Sequence, residues 1–68
     1  MSEIFAENLR RLRKEQGYTQ AELAKLLNIN RTTYTKYETG VTEPDFERLQ
    51  LICEVFGVDY NTILQNKT

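Results

Sequence analysis

The sequence contains no histidine and no tryptophan, and only one cysteine and one proline among its 68 residues. With no imidazole and a single thiol, it cannot build an intramolecular disulfide, a His/Cys zinc site or a nucleophile–histidine pair. That excludes most hydrolytic and metal-assisted chemistry. Cys53 stands inside the apolar run LQLICEVF and reads as a small core residue, not a reactive thiol. The three glycines are isolated at 17, 40 and 57, so there is no glycine-rich loop to cradle a phosphate. No stretch approaches the roughly 18 apolar residues of a membrane span, and the N-terminal MSEIF has neither the basic region nor the apolar run of a leader. The expectation is a protein that is not an enzyme, has no cofactor or metal and no membrane partner, and works in a reducing, cytoplasmic setting.

At this length the chain is expected to form one domain, residues 1–68. It lies below the ~70–80 residues at which a single core becomes comfortably stabilising, so it must pack efficiently or gain stability from a partner. The formal net charge is −1, but the charge is divided unevenly. Residues 1–36 carry seven Lys/Arg against four acids, a net of +3, whereas residues 37–68 carry two against six, a net of −4. Glu7, Lys25 and Glu54 read as plain solvated positions.

Periodicity and punctuation predict an all-α chain of five helices. The first spans about 3 to 16, with Phe5, Leu9 and Leu12 on one face, and Gly17 ends it. The second is announced by Thr19 and Glu22, a capping box, with Tyr18 placed to staple onto Leu23. Ala21, Leu23, Ala24 and Leu27 form its apolar face, and Asn28 ends it as a left-handed residue. Asn30 caps the third helix, Ile29 can staple to Tyr34, and Gly40 stops it. Only Asn28, Ile29 and Asn30 are expected between helices two and three, which fits the sharp turn of a helix-turn-helix over about 19–38. After the loop from Val41 to Pro44, Asp45 caps a fourth helix bearing Phe46, Leu49, Ile52, Cys53 and Phe56. Gly57 ends that helix, and Asp59 caps a short fifth with Ile63 and Leu64 on its apolar side.

The third helix divides its residues between two tasks. Tyr34 and Tyr37 share an inward face, while Thr32, Thr35 and Lys36 lie roughly opposite, with Arg31 at the flank. Threonine-rich sequence is poor helix former, so tertiary packing must hold this element. Its outward face suits a major groove: Lys36 or Arg31 can donate to guanine, threonine can meet a base edge, a phosphate or a thymine methyl, and Asn30 can pair with adenine. The alternative is a merely solvated face, with Asn30 only a cap. At the C-terminal end Tyr60, Ile63 and Leu64 either pack on the first helix through Ile4 and Phe5 or meet another copy of the chain.

Over nearly its whole length the chain resembles the helix-turn-helix family of lambdoid phage repressors and Cro proteins, also called Xre-like. The resemblance rests on NLRRLRKEQGYTQAELAKLL, NINRTTYTKYETG, the proline loop and LQLICEVFGVDYNTIL. Its most specific parts are G-x-T-Q-x-E-L-A from Gly17 to Ala24 and K-Y-E-T-G from Lys36 to Gly40. It implies a compact five-helix lambda-repressor-like fold with the helix-turn-helix at helices two and three.

For the site, the resemblance implies that Gln20 binds a DNA phosphate through its amide, aided by the helix dipole. It puts Arg31, Thr32 and Lys36 where the family reads bases, leaves Thr33 and Thr35 to phosphate or base, and sets Thr39 with the amides after Gly40 against the phosphate backbone. Arg13 and Glu38 match an ion pair between helices one and three, and the C-terminal region, Val58, Tyr60, Asn61 and Leu64, matches a dimer contact. Three departures stand out: Asn28 replaces a frequent glycine, Tyr34 a frequent β-branched residue, and Glu43 precedes Pro44 where many relatives are basic. The last implies modest affinity per subunit.

The function so implied is sequence-specific regulation of transcription, as a repressor that binds a pseudo-palindromic double-stranded DNA operator as a homodimer. Such a protein is bacterial or phage-encoded, and nucleoid-associated when bound. No small-molecule ligand is evident, and no segment is left for a sensing domain. The competing expectation is a protein-interaction module such as an antitoxin or antirepressor, which the acidic C-terminal half favours.

Overall fold

The computed structural model describes residues 2–65. They form five helices: α1 (Ser2–Glu15), α2 (Gln20–Leu26), α3 (Arg31–Thr39), α4 (Phe46–Phe56) and α5 (Tyr60–Leu64). Among the described residues there is no strand. Each of α2 to α5 begins at a side-chain cap. Thr19 and Glu22 form the reciprocal capping box, Asn30 Oδ1 accepts from Thr33 N at 2.8 Å, and Asp45 and Asp59 accept from Arg48 N and Thr62 N. These oxygens satisfy amides that have no partner within the first turn.

One core draws on every helix. Phe5, Leu9 and Leu12 from α1 meet Leu23, Ala24 and Leu27, then Tyr34 and Tyr37 of α3, Ile52, Cys53 and Phe56 of α4, and Ile63 of α5. Leu9, Leu23, Leu27, Tyr34, Ile52 and Ile63 are fully buried. Truncating such a leucine or isoleucine to alanine typically costs about 2–5 kcal/mol, comparable to the whole stability of a small domain at ~5 kcal/mol. Two details differ from the sequence expectation. Ala21 is exposed, so Ala24 alone lets a neighbour approach α2 closely. The helix itself stops at Leu26, and four residues, Leu27 to Asn30, make the turn.

That turn is shaped by Asn28, the single non-glycine residue with positive φ among the described residues, at 58°. Its amide bonds Lys25 O at 3.1 Å and the Ile29 amide reaches back to Ala24 O at 3.0 Å, the paired reversal that ends a helix on a left-handed residue. Arg48 Nη1 on α4 then takes the Leu27 carbonyl at 2.7 Å. The same solution recurs at the ends of α4 and α5. Gln16 Nε2 donates to Phe56 O at 2.8 Å, and the buried Asn8 donates through Nδ2 to Ile63 O and Gln65 O at 2.8 and 2.9 Å. Carbonyls left over at helix ends are thus held by side chains from other helices.

Asn28→Ala is expected to lower stability by about 1 kcal/mol, because a Cβ without a local polar partner disfavours the left-handed conformation, whereas Asn28→Gly should not lower it. Urea unfolding at constant m-value tests this; an alanine variant as stable as the parent would contradict the strain argument.

Candidate nucleic-acid interface

The site is organised from behind, by a carboxylate. Glu38, near the end of α3, is only 2% exposed, and four donor atoms from three side chains converge on it. Arg13 of α1 reaches it twice, Nε to Oε2 at 2.6 Å and Nη2 to Oε1 at 3.2 Å. The Tyr34 hydroxyl donates to Oε2 at 2.6 Å, and Gln20 Nε2, at the start of α2, donates to Oε1 at 3.0 Å. Arg13 also uses Nη1 on Tyr18 O at 3.1 Å. Arg10, one turn earlier on α1, donates to the Glu38 backbone carbonyl. Two guanidiniums therefore sit at the negative C-terminal end of α3, where a cation is most favourable.

The electrostatics follow. Burial pushes the Glu38 carboxyl up, but the hydrogen bonds from Arg13, Tyr34 and Gln20 outweigh it and hold its pKa below the ordinary glutamate value. Arg13 is held more firmly protonated by its bond to Glu38. The Tyr34 hydroxyl is raised, first by burial and then by its bond to the carboxylate, and stays a donor at any physiological pH.

Thr32, Lys36 and Thr39 are exposed on the side of α3 away from Tyr34 and Tyr37, and Arg31 is exposed at the flank of the first turn. Arg31, Thr32 and Lys36, the expected base-reading residues, are thus all open to an outside partner, Arg31 from the flank. Thr39 lies at the end of that face, its hydroxyl on Lys36 O at 3.3 Å. Thr33 is half-buried. Asn30 is exposed, but its side-chain oxygen is engaged in the cap, and two-point pairing with adenine needs that oxygen.

Thr35 departs from expectation. It is half-buried and turned towards α2, where its hydroxyl donates to Gln20 Oε1 at 2.9 Å. Gln20 is likewise half-buried and bridges Glu38 and Thr35, so one hydrogen of its amide is left for an outside acceptor.

Sequence reasoning anticipated the partnership of Arg13 with Glu38 through resemblance alone, and missed Tyr34, Gln20 and Arg10 as members of the same cluster. Only Tyr34 carried a local signal, since it precedes Glu38 by four residues on one helix. At the C-terminal end, Val58, Tyr60 and Leu64 are half-buried against the core and Asn61 is exposed. Beside them is a feature the sequence did not announce: the Phe46 ring, 67% exposed and 5.6 Å from the Tyr60 ring. Among the described residues no cluster of acidic or cysteine side chains is arranged to hold a metal ion, and no helix is long and apolar enough to cross a membrane.

Because the Glu38 pKa is lowered on folding, the stabilisation is present above the ordinary carboxylate range and is lost as the pH falls through the lowered value. Melting temperature is therefore expected to decline below about pH 4, with part of that decline absent in Glu38→Gln. At neutral pH Glu38→Gln should cost about 3–5 kcal/mol by leaving Arg13 unpaired, and Tyr34→Phe about 1–3 kcal/mol. Denaturation of both variants at neutral and acid pH checks this; an unchanged acid slope in Tyr34→Phe and Glu38→Gln alike would refute the role given to the cluster.

The profile of the helix-turn-helix family matches residues 9–63. An uncharacterised HTH-type transcriptional regulator of Bacillus subtilis, YqaE, is 37% identical over 65 residues, covering 96% of this chain and 56% of its own length. YonR, an SPbeta prophage-derived regulator of the same organism, is 37% identical over 62 residues, 91% of this chain and 57% of its own. The antitoxin PezA of Streptococcus pneumoniae is 33% identical over 61 residues, 90% of this chain and 39% of its own. The chain spans little more than half the length of the first two relatives and less of the third. No solved structure matches it significantly. With five helices, the short turn around Asn28 and a family match over most of its residues, this chain belongs to the Xre-like helix-turn-helix family.

Proposed function

We propose that the chain is a sequence-specific, DNA-binding transcriptional regulator, a repressor that occupies a pseudo-palindromic operator as a homodimer and occludes a promoter. One observation carries this reading: α3 is clamped from behind by the Glu38 cluster while Arg31, Thr32, Lys36 and Thr39 stand exposed along its front. A threonine-rich helix has little intrinsic reason to be straight and firm, so rigidity plus an outward row of donors suits a probe. An α-helix about 10–12 Å across matches a major groove about 12 Å wide.

In this reading Lys36 and Arg31 donate to guanine O6 and N7, and Thr32 meets a neighbouring base edge. Gln20, with its remaining amide hydrogen, and the hydroxyls of Thr33 and Thr39 serve the phosphates, which set register, Thr39 by exchanging its long, exposed bond to the Lys36 carbonyl for one to phosphate. The chain acts as a single domain, residues 1–68, in the cytoplasm. Its N-terminal half, with net charge +3, is turned to DNA, and the acidic half is kept away from it. Two copies meet through Val58, Tyr60, Asn61 and Leu64, beside Phe46, and present their α3 helices to successive major grooves roughly 34 Å apart.

A second reading, a protein-interaction module that neutralises a partner, is favoured by the similarity to an antitoxin and by the net charge of −4 over residues 37–68. Salt-dependent binding to duplex DNA separates the two.

Once sites have been selected from random duplex DNA, Lys36→Ala should weaken binding by roughly 1–3 kcal/mol and relax preference at one position, while Gln20→Ala weakens all sequences alike. If both variants bind the selected site as tightly as the parent, the assignment of α3 as reader is wrong. Sedimentation over a concentration series should reveal a dimer, most readily with operator present; a strict monomer in every condition removes the homodimer.

A further inference from the structure

The charge on Glu38 dictates the direction of every hydrogen bond leading away from it. An ionised carboxylate only accepts, so the part of Gln20 that lies 3.0 Å from Glu38 Oε1 has to be the amide nitrogen. The amide oxygen is thereby turned to Thr35, 2.9 Å from its hydroxyl oxygen. An amide oxygen has no hydrogen to offer, so Thr35 donates its only one. What remains to Thr35 is a methyl group and oxygen lone pairs. On the helical wheel it falls between Arg31 and Thr32, about 40° and 60° from them at 100° per residue, on the side of α3 that meets Gln20.

We propose that Thr35 is a specificity-determining residue which offers DNA only a methyl group and a hydrogen-bond acceptor, and so selects an A·T pair and does not grip phosphate. This rests on the DNA-binding reading above. Phosphate oxygens are acceptors, and so are guanine O6 and N7. A hydroxyl whose hydrogen is already given away meets them with lone pair against lone pair. A G·C pair offers the oxygen a donor in the cytosine N4 amino group but no methyl, whereas an A·T pair presents both complements at once, the thymine methyl for the Thr35 methyl and the adenine N6 amino group for its oxygen. Rotating the hydroxyl towards DNA would strand the Gln20 carbonyl. Turning the Gln20 amide over to rescue it would set oxygen against the Glu38 carboxylate. Arg13 and Tyr34 hold that carboxylate in place, so the selectivity of one groove-edge residue is written by a buried acid two side chains away.

The experiment is selection from random duplex DNA with the parent, Thr35→Ser and Thr35→Val, alongside side-chain amide NMR spectra of the free proteins. The parent should prefer A·T over G·C about fivefold at one position of each half-site. Thr35→Ser keeps the bond to Gln20 and loses the methyl, so that preference should fall below about twofold while the other positions stay as they were. Thr35→Val keeps the methyl and loses the hydroxyl, so the preference for A·T should survive while the Gln20 amide resonances move. A parent that prefers G·C where Thr35→Ser has its effect, or a Thr35→Ser selection identical to the parent's, overturns the proposal. If the parent enriches no sequence although its Gln20 resonances respond to Thr35→Val, the bridge is intact and the DNA reading itself fails, taking the proposal with it.

Discussion

A carboxylate removed from water has to be compensated on the spot, and Glu38 sets that condition for the rest of this molecule. Desolvating such a charge costs several kcal/mol even after relaxation. It is tolerable here because Arg13, Tyr34 and Gln20 supply four hydrogen bonds from α1, α3 and α2. Each donor is useful only when its helix is correctly docked. The relative placement of three helices therefore becomes a single cooperative arrangement, as for any buried polar network that is either fully satisfied or costly. Stiffness of α3 is a by-product of keeping one anion neutralised.

The same pair also reconciles the charge balance with a polyanionic partner. Glu38 is an acid on the very helix proposed to enter the groove, yet its charge faces Arg13 and is withdrawn from the surface. Of the four charged or polar residues that remain exposed on α3's front, two are cations and none is an acid. Net charge over the whole chain, −1, averages this face with an acidic α4 and its approaches, and says little about either.

The helix starts were legible in the sequence because capping is local: Thr19, Asn30, Asp45 and Asp59 each act on an amide three residues away. Helix ends were nearly as legible, since Gly17, Gly40, Gly57 and Asn28 mark left-handed positions. What escaped depends on distance in sequence. Asn8, Gln16 and Arg48 look like ordinary polar surface residues until the fold brings the carbonyls of Ile63, Phe56 and Leu27 to them. The bond from Thr35 to Gln20 escaped for a related reason, as the wheel angle alone does not reveal that Gln20 of the preceding helix stands beside it. For the site, the exposed row of α3 could be read from periodicity, while the bridge beneath it needed tertiary structure.

Asn8 and Arg10 are two residues apart on α1, hence about 200° apart around its axis. Asn8 holds the last carbonyls of α5, while Arg10 holds the end of α3. The first helix is therefore an axle with α3 on one side and the end of the described chain on the other. Gln65, the last described residue, is thus held on the side of α1 away from α3. The two grips are independent of each other, so a substitution at Asn8 loosens α5 from α1 while leaving the hold of Arg10 on α3 in place.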